Sequence, residues 1–272
     1  AQHDEAVAPW LRVDMALDRR SVGFARALGE TGALDDVERM AIINSVEQNE
    51  PFLADVEAAL EASGVEVVVN ATVSPAGGEA EARTLLERAA SGGATAVYFS
   101  GLNPGLYPAM ADQDFRYFFE DATTTEPSLR DFFRGGGELD VVSNGTYPYP
   151  YLDDPAMTDC IEIVEERTDI EVADPNTLPD DEPNWWEAVS RACQHLRLFE
   201  LVATAAGPEL DNQTFLTAAE GLGSIELPGV AQGALGPDKH DVNDQSTLVE
   251  WDPALFEGEG GWAPVGEPYA VE

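Results

Sequence analysis

Between Val37 and Tyr147, short apolar runs alternate with amphipathic stretches, and this rhythm restricts the fold more than any other feature of the chain. Met40-Ala41-Ile42-Ile43 is short and continuously apolar, the pattern of a strand buried on both faces. Residues 52–63 follow, with Phe52, Val56, Ala59 and Leu60 on one helical face and Gly64 where a helix commonly ends in a left-handed glycine. Val65 to Val69 is rich in β-branched residues and reads as the next strand. Glu79 to Ser91 reads as a helix stopped by Gly92-Gly93, and Thr95 to Phe99 as a third strand. A short helix over 106–111, a strand over 116–119, a helix over 127–133 and a strand over 139–142 complete the series.

Strand and helix in this alternation demand parallel pairing with right-handed crossovers, so the segment predicts a doubly wound α/β lobe. In such sheets ligands lie outside the carboxyl ends of the strands. Three strand-to-helix loops meet that condition: 44–51, 100–105 and 120–126.

After Thr146 the style changes. Tyr147-Pro148-Tyr149-Pro150-Tyr151 carries two prolines and reads as an extended crossing segment, not a central strand. A helix is predicted from Pro155 to Arg167. A longer one starts after Asn184, where Glu187 completes the pattern of a capping box. Its predicted buried stripe is Val189, Ala192, Cys193, Leu196, Phe199 and Ala203, and Gly207-Pro208 stops it. Residues 211–220 form another helix. From Ile225 the chain reads as glycine-rich and irregular, apart from a strand over 247–251.

Charge narrows the partners. The 272 residues include 52 acidic and 14 basic ones, a net charge of −38, and Lys239 is the only lysine. Phosphates would be repelled over most of such a surface, which excludes nucleic acid as the expected partner. A dense carboxylate coat suits a solvent of high ionic strength, where screening is strong. No stretch of about 18 apolar residues is available to span a membrane.

No catalytic signature is present: the sequence has no GxGxxG, Walker loop, GxSxG or HExxH, and its histidines at 3, 195 and 240 are scattered. His195, beside the predicted apolar stripe, reads as structural. Asp238 to Asp244 has oxygen ligands in the density of a calcium loop, but lacks the glycine and distal glutamate of an EF-hand and reads as a solvated turn. No metal and no cofactor are expected. The Asn-X-Ser/Thr triplets at Asn70, Asn144 and Asn212 matter only in a glycosylating secretory system. Cys160 and Cys193 fall on consecutive predicted helices that can fold back on each other; a disulfide and two buried thiols both fit.

The order of these elements resembles the type I periplasmic solute-binding proteins, specifically the branched-chain amino acid receptors of ABC transporters. The resemblance is carried by Trp10-Leu11-Arg12-Val13 with Asp18, by Val37 to Asn44, and by Ala94 to Pro104. Phe119-Glu120-Asp121, Thr146-Tyr147-Pro148, Trp185 to Val189 and Gly233 to Trp251 continue it. It implies two Rossmann-like lobes with parallel sheets, the first lobe incomplete because the family's opening strands have no counterpart. It also implies boundaries: residues 1–12 end the first lobe, 13–147 form the second, 148–247 the remainder of the first, and 248–272 return to the second. The crossings near Arg12, Tyr147 and Thr247 are then hinges.

The resemblance further implies a non-enzymatic, extracytoplasmic receptor that delivers a small amino-acid-like or amide solute to an ABC permease. The matching ligand positions are Asn44, Ser45, Asn49, Ser100, Gly101, Leu102, Asn103 and Asp121. Two of them depart from the family: Asn49 and Leu102 stand where it has aromatics. Asp121 keeps the acidic group that pairs with a ligand ammonium, and by its own chemistry either pairs with a cation or caps the following helix. The rival readings are an open α/β enzyme and a cytoplasmic ligand sensor of the same fold.

Overall fold

The computed structural model describes residues 10–74, 78–101, 104–145, 154–174, 182–258 and 260–271. In chain order its elements are α1 (Leu17–Glu30), β1 (Arg39–Asn44), α2 (Leu53–Ala62), β2 (Glu66–Thr72), α3 (Gly78–Ser91) and β3 (Ala96–Ser100). There follow α4 (Tyr107–Ala111), β4 (Arg116–Phe119), α5 (Ala122–Arg134), β5 (Asp140–Gly145), α6 (Pro155–Arg167), α7 (Trp185–Ala206) and α8 (Asn212–Gly221). The hairpin strands β6 (Gly223–Leu227) and β7 (Val230–Leu235), then β8 (Gln245–Asp252), α9 (Leu255–Gly258) and β9 (Gly261–Ala270), complete the series. No described helix is long and apolar enough to cross a membrane.

The chain divides into two compact units, one of residues 1–16 and 149–245, the other of 17–148 and 246–272. The second unit, here unit 2, is built on a seven-stranded sheet in the order β2-β1-β3-β4-β5-β8-β9. Strands β1 to β5 pair in parallel, and β8 joins β5 antiparallel. Alternate side chains of each strand serve opposite faces. Met40 and Ile42 of β1 join Tyr98, Phe118, Val142 and Leu248 under α1 and α2, around Phe24, Leu28, Val56 and Leu60. Ala41 and Ile43 join Phe99, Tyr117, Phe119 and Val249 under α3, α4 and α5, around Leu86, Met110 and Leu129. Burial on both faces is why β1 and β3 are continuously apolar. Gly64, with φ +89°, follows α2 in the left-handed region that the turn into β2 requires.

The other unit, unit 1, packs α6, α7 and α8 with the antiparallel hairpin β6–β7. Its parallel pairing among the described residues is the bridge between Arg12 and Asp241. Cys160 of α6 and Cys193 of α7 form a disulfide, beside Met157, Ile161, Trp186 and Val189.

Several expectations need correction. The predicted loop 120–126 is not a loop beyond Asp121, because α5 begins at Ala122. The capping box at Asn184 does not form: the Asn184 side chain makes no cap bond, and Glu187 pairs with Arg191 one turn on, at 3.2 Å. The buried stripe of α7 differs too. Trp186, Val189 and Cys193 face α6, while Leu198 and Val202 face α8 and the hairpin. Serving two neighbours rotates the buried face, which leaves Ala192, Leu196 and Phe199 exposed and buries Gln194, whose amide donates to the Pro228 carbonyl at 2.9 Å. His195 is exposed, with Nδ1 2.7 Å from the Arg191 carbonyl. The region after Ile225, read as irregular, holds the β6–β7 hairpin, turned at Pro228-Gly229, and the strand β9. The crossing segment 147–151 lies outside the described residues.

Candidate functional site

The strand order β2-β1-β3-β4-β5 reverses between β1 and β3, and at such a switch point the two following loops diverge and open a crevice at the carboxyl edge of the sheet. In unit 2 that point is bounded by Asn44-Ser45 after β1 and Ser100-Gly101 after β3. The two loops are stitched together. The Ser45 amide donates to the Ser100 carbonyl at 3.1 Å, and the Ser45 hydroxyl donates to the Gly101 carbonyl. Asn44 is fully buried; its side chain accepts from the Val46 amide and donates to the Val46 carbonyl and to the Thr72 hydroxyl. Asn49, in the 3-10 turn Glu47–Phe52, donates to the Ser100 hydroxyl at 2.9 Å.

Gly101 is required here. Its φ is +61°, and a Cβ would lie 2.5 Å from Val46 and 2.9 Å from the Asn49 amide nitrogen. That close approach brings the Gly101 amide to 3.2 Å from Glu120 Oε2.

Glu120, at the end of β4, is the hub of the edge, and the sequence-based site omitted it. Only 3% of its surface is exposed. Its carboxyl lies 3.1 Å from the Tyr98 hydroxyl, which is 3.0 Å from the Ser21 carbonyl of α1, and it takes a long contact from Asn49. Burial pushes the Glu120 carboxyl above the usual carboxylate range; hydrogen bonds from Ser21 and Ser100, the Arg20 guanidinium, and the Tyr98 hydroxyl pull it back. Burial also lifts the Tyr98 hydroxyl well above its ordinary value, and Glu120 adds to the effect. The available signal was Phe118-Phe119-Glu120, a carboxylate that ends a buried strand with no turn residue between.

Asp121 stands next, immediately before α5, and Arg20 of α1 donates to its Oδ2 at 2.7 Å; the Arg20 side chain is 26% exposed and that of Asp121 21%. Sequence reading missed α1 altogether, since Gly23 and Gly29 interrupt its apolar pattern. Gly23 is there because a Cβ would meet Val271 at 2.6 Å. Farther along the edge, the Asn144 carbonyl oxygen accepts from the Ser246 and Tyr269 hydroxyls. Asn144 is thus buried, which removes it as a glycosylation acceptor in the folded chain.

Of the expected ligand positions, the structure brings Asn44, Ser45, Asn49, Ser100, Gly101 and Asp121 to one edge; Leu102 and Asn103 lie outside the described residues. Asn44, Asn49 and Ser100 are buried supports, whereas Ser45, Gly101 and Asp121 are partly exposed. The candidate calcium loop of unit 1 already holds a cation. Lys239 Nζ donates to the Ala234 and Asp241 carbonyls and lies 3.1 Å from Asp244 Oδ1. Among the described residues no group of side chains fits a metal ion.

A doubly wound sheet in the order 2-1-3-4-5, whose chain leaves for a second unit and returns to add β8 at the sheet's other side, decides the architecture. This is the type I periplasmic-binding-protein fold. The chain is similar to a solute-binding protein of an ABC transporter from R. palustris, solved in complex with 4-hydroxybenzoate, with a TM-score of 0.69 and 15% identity. That match covers 96% of this chain and 67% of that one. It is also similar to a leucine-, isoleucine-, valine-, threonine- and alanine-binding protein from Brucella ovis in its closed conformation, with a TM-score of 0.65 and 14% identity, over 93% of this chain and 63% of that one. A type 1 periplasmic binding protein from Bordetella pertussis Tohama I matches with a TM-score of 0.66 and 12% identity, over 94% and 67%. The chain thus spans about two thirds of the length of these structures. No protein-family model matches the chain, and no curated protein matches it by sequence. The type I fold is legible in the arrangement of elements and not in residue identity.

Proposed function

We propose that this chain works as a solute-binding receptor for an ABC importer outside the cytoplasm, taking a small amino-acid-like, amide or aromatic-acid solute against the β1–β3 edge of unit 2. The permease is its protein partner. The observation that carries this reading is the switch-point edge itself. Ser45, Gly101, Arg20 and Asp121 are partly exposed there, on a buried polar frame of Asn44, Asn49, Ser100 and Glu120. A frame whose hydrogen bonds are spent internally holds its outer groups in fixed positions, which lowers the ordering cost of binding. The similarity to solute-binding proteins, two of which carry hydroxybenzoate or branched-chain amino acids in their names, supports the same reading. The enzyme alternative finds little here. Among the described residues the edge contains no histidine or cysteine, and its most buried acid is enclosed by hydrogen bonds rather than aimed at a reacting atom.

A thermal-shift screen against amino acids, amides and aromatic acids tests the proposal. A ligand at about 100 times its Kd adds about 2.7 kcal/mol, a rise of several degrees in Tm for a chain of this size. Failure of every solute class to raise the midpoint overturns the receptor reading.

A further inference from the structure

The acid that the family resemblance assigns to a ligand ammonium already has a cation. Arg20 Nη1 sits 2.7 Å from Asp121 Oδ2. This is not a loose surface pair. α1 is fixed over the sheet by the Ser21 carbonyl against Tyr98, by Arg19 donating to the Val271 carbonyl at 2.7 Å, and by the close approach of Gly23 to Val271. An ammonium group approaching Asp121 would displace a guanidinium or sit beside one, at a cost from like-charge repulsion. An acceptor oxygen faces the opposite situation. A guanidinium has five N–H donors in a planar fork, and Asp121 engages it through Nη1. Both side chains of the pair retain about a quarter of their surface, enough for a small solute to touch.

We infer that Arg20, held in place by Asp121, is the charged group this edge offers to a solute, and that it selects small carboxylates over molecules that turn an ammonium toward it. The inference rests on the receptor reading above and names its substrate class. Asp121 then acts as a positioning residue.

The test is titration calorimetry of the full chain with two matched sets of probes. Benzoate, benzamide and benzylamine form one set; isovalerate, isovaleramide and isopentylamine form the other, and L-leucine is added to both. On the wild-type protein the carboxylate of at least one set should bind most tightly and the amine most weakly, a ranking that needs no variant. Arg20→Gln should weaken carboxylate binding about 10-fold or more and leave the amide nearly unchanged, Arg20→Lys should restore part of the loss, and Asp121→Asn should cost less than Arg20→Gln. If an amine or leucine binds most tightly and Asp121→Asn abolishes it, the receptor reading stands and this inference is wrong. If Arg20→Gln leaves carboxylate affinity untouched, the inference is equally wrong. Binding of no probe in either set to the wild-type protein overturns both.

Discussion

Glu120 shows how a single side chain can be costly and useful at once. It is almost fully buried, yet the Gly101 amide, Asn49 and Tyr98 converge on it and tie β1, β3 and β4 together at the edge. Its raised carboxyl binds a proton more tightly in the folded chain than in the unfolded one. Stability attributable to this group therefore falls as pH rises from the ordinary carboxylate range through the raised folded value. Glutamine keeps the shape and cannot ionise. Glu120→Gln should gain stability over wild type above that window and show no advantage below it, as read by urea unfolding at pH 4 and pH 8; an advantage independent of pH would contradict the account. Gly101→Ala should destabilise by about 1–3 kcal/mol, from the left-handed backbone and the clash with Val46 and Asn49. The same unfolding experiment checks it. Gly101's place at the carboxyl edge was legible because it follows a strand. The burial of Glu120 was not, because among 52 acidic residues its position after Phe118-Phe119 is a signal that does not by itself separate a buried carboxylate from an exposed one.

Among the elements, those with strong local periodicity were read correctly, and those set by their neighbours were not. The β1 to β5 strands with α2 and α3 follow from apolar runs and helical spacing. α7 was predicted to bury one stripe, but it serves α6 on one side and the hairpin on the other, so Leu196 and Phe199 end outside. β9 contains Pro264 and Pro268, which hide a strand from any propensity argument; both are tolerated because β9 is an edge strand. The disulfide joins residues 33 apart and closes α6 onto α7. Removing it by Cys160→Ala with Cys193→Ala should lower the stability of those helices by about 3–4 kcal/mol. Hydrogen exchange should show faster opening of α6 and α7 and leave the sheet of unit 2 unchanged; equal protection in both forms would mean that the bond restrains little.

For the whole molecule, the charge of −38 is the dominant long-range force. At about 0.1 M salt such charges interact over about 10 Å, and at about 1 M over about 3 Å. The unfolding midpoint should therefore rise as sodium chloride goes from about 0.1 M to molar concentration. A flat or falling midpoint in a thermal scan would show that the carboxylate coat is not a burden that salt relieves. The sequence by itself determined the α/β class, the parallel alternation over 37–147 and the acidic surface, since each follows from local spacing or from composition. Only the tertiary structure decided that Asp121 is matched by Arg20, that Glu120 is the buried hub, and that Lys239 fills the cation position of its own loop. The physical reason is the same in each case. A charge acquires its role from the partner that folding brings to it, and Arg20 reaches Asp121 across 101 residues of chain.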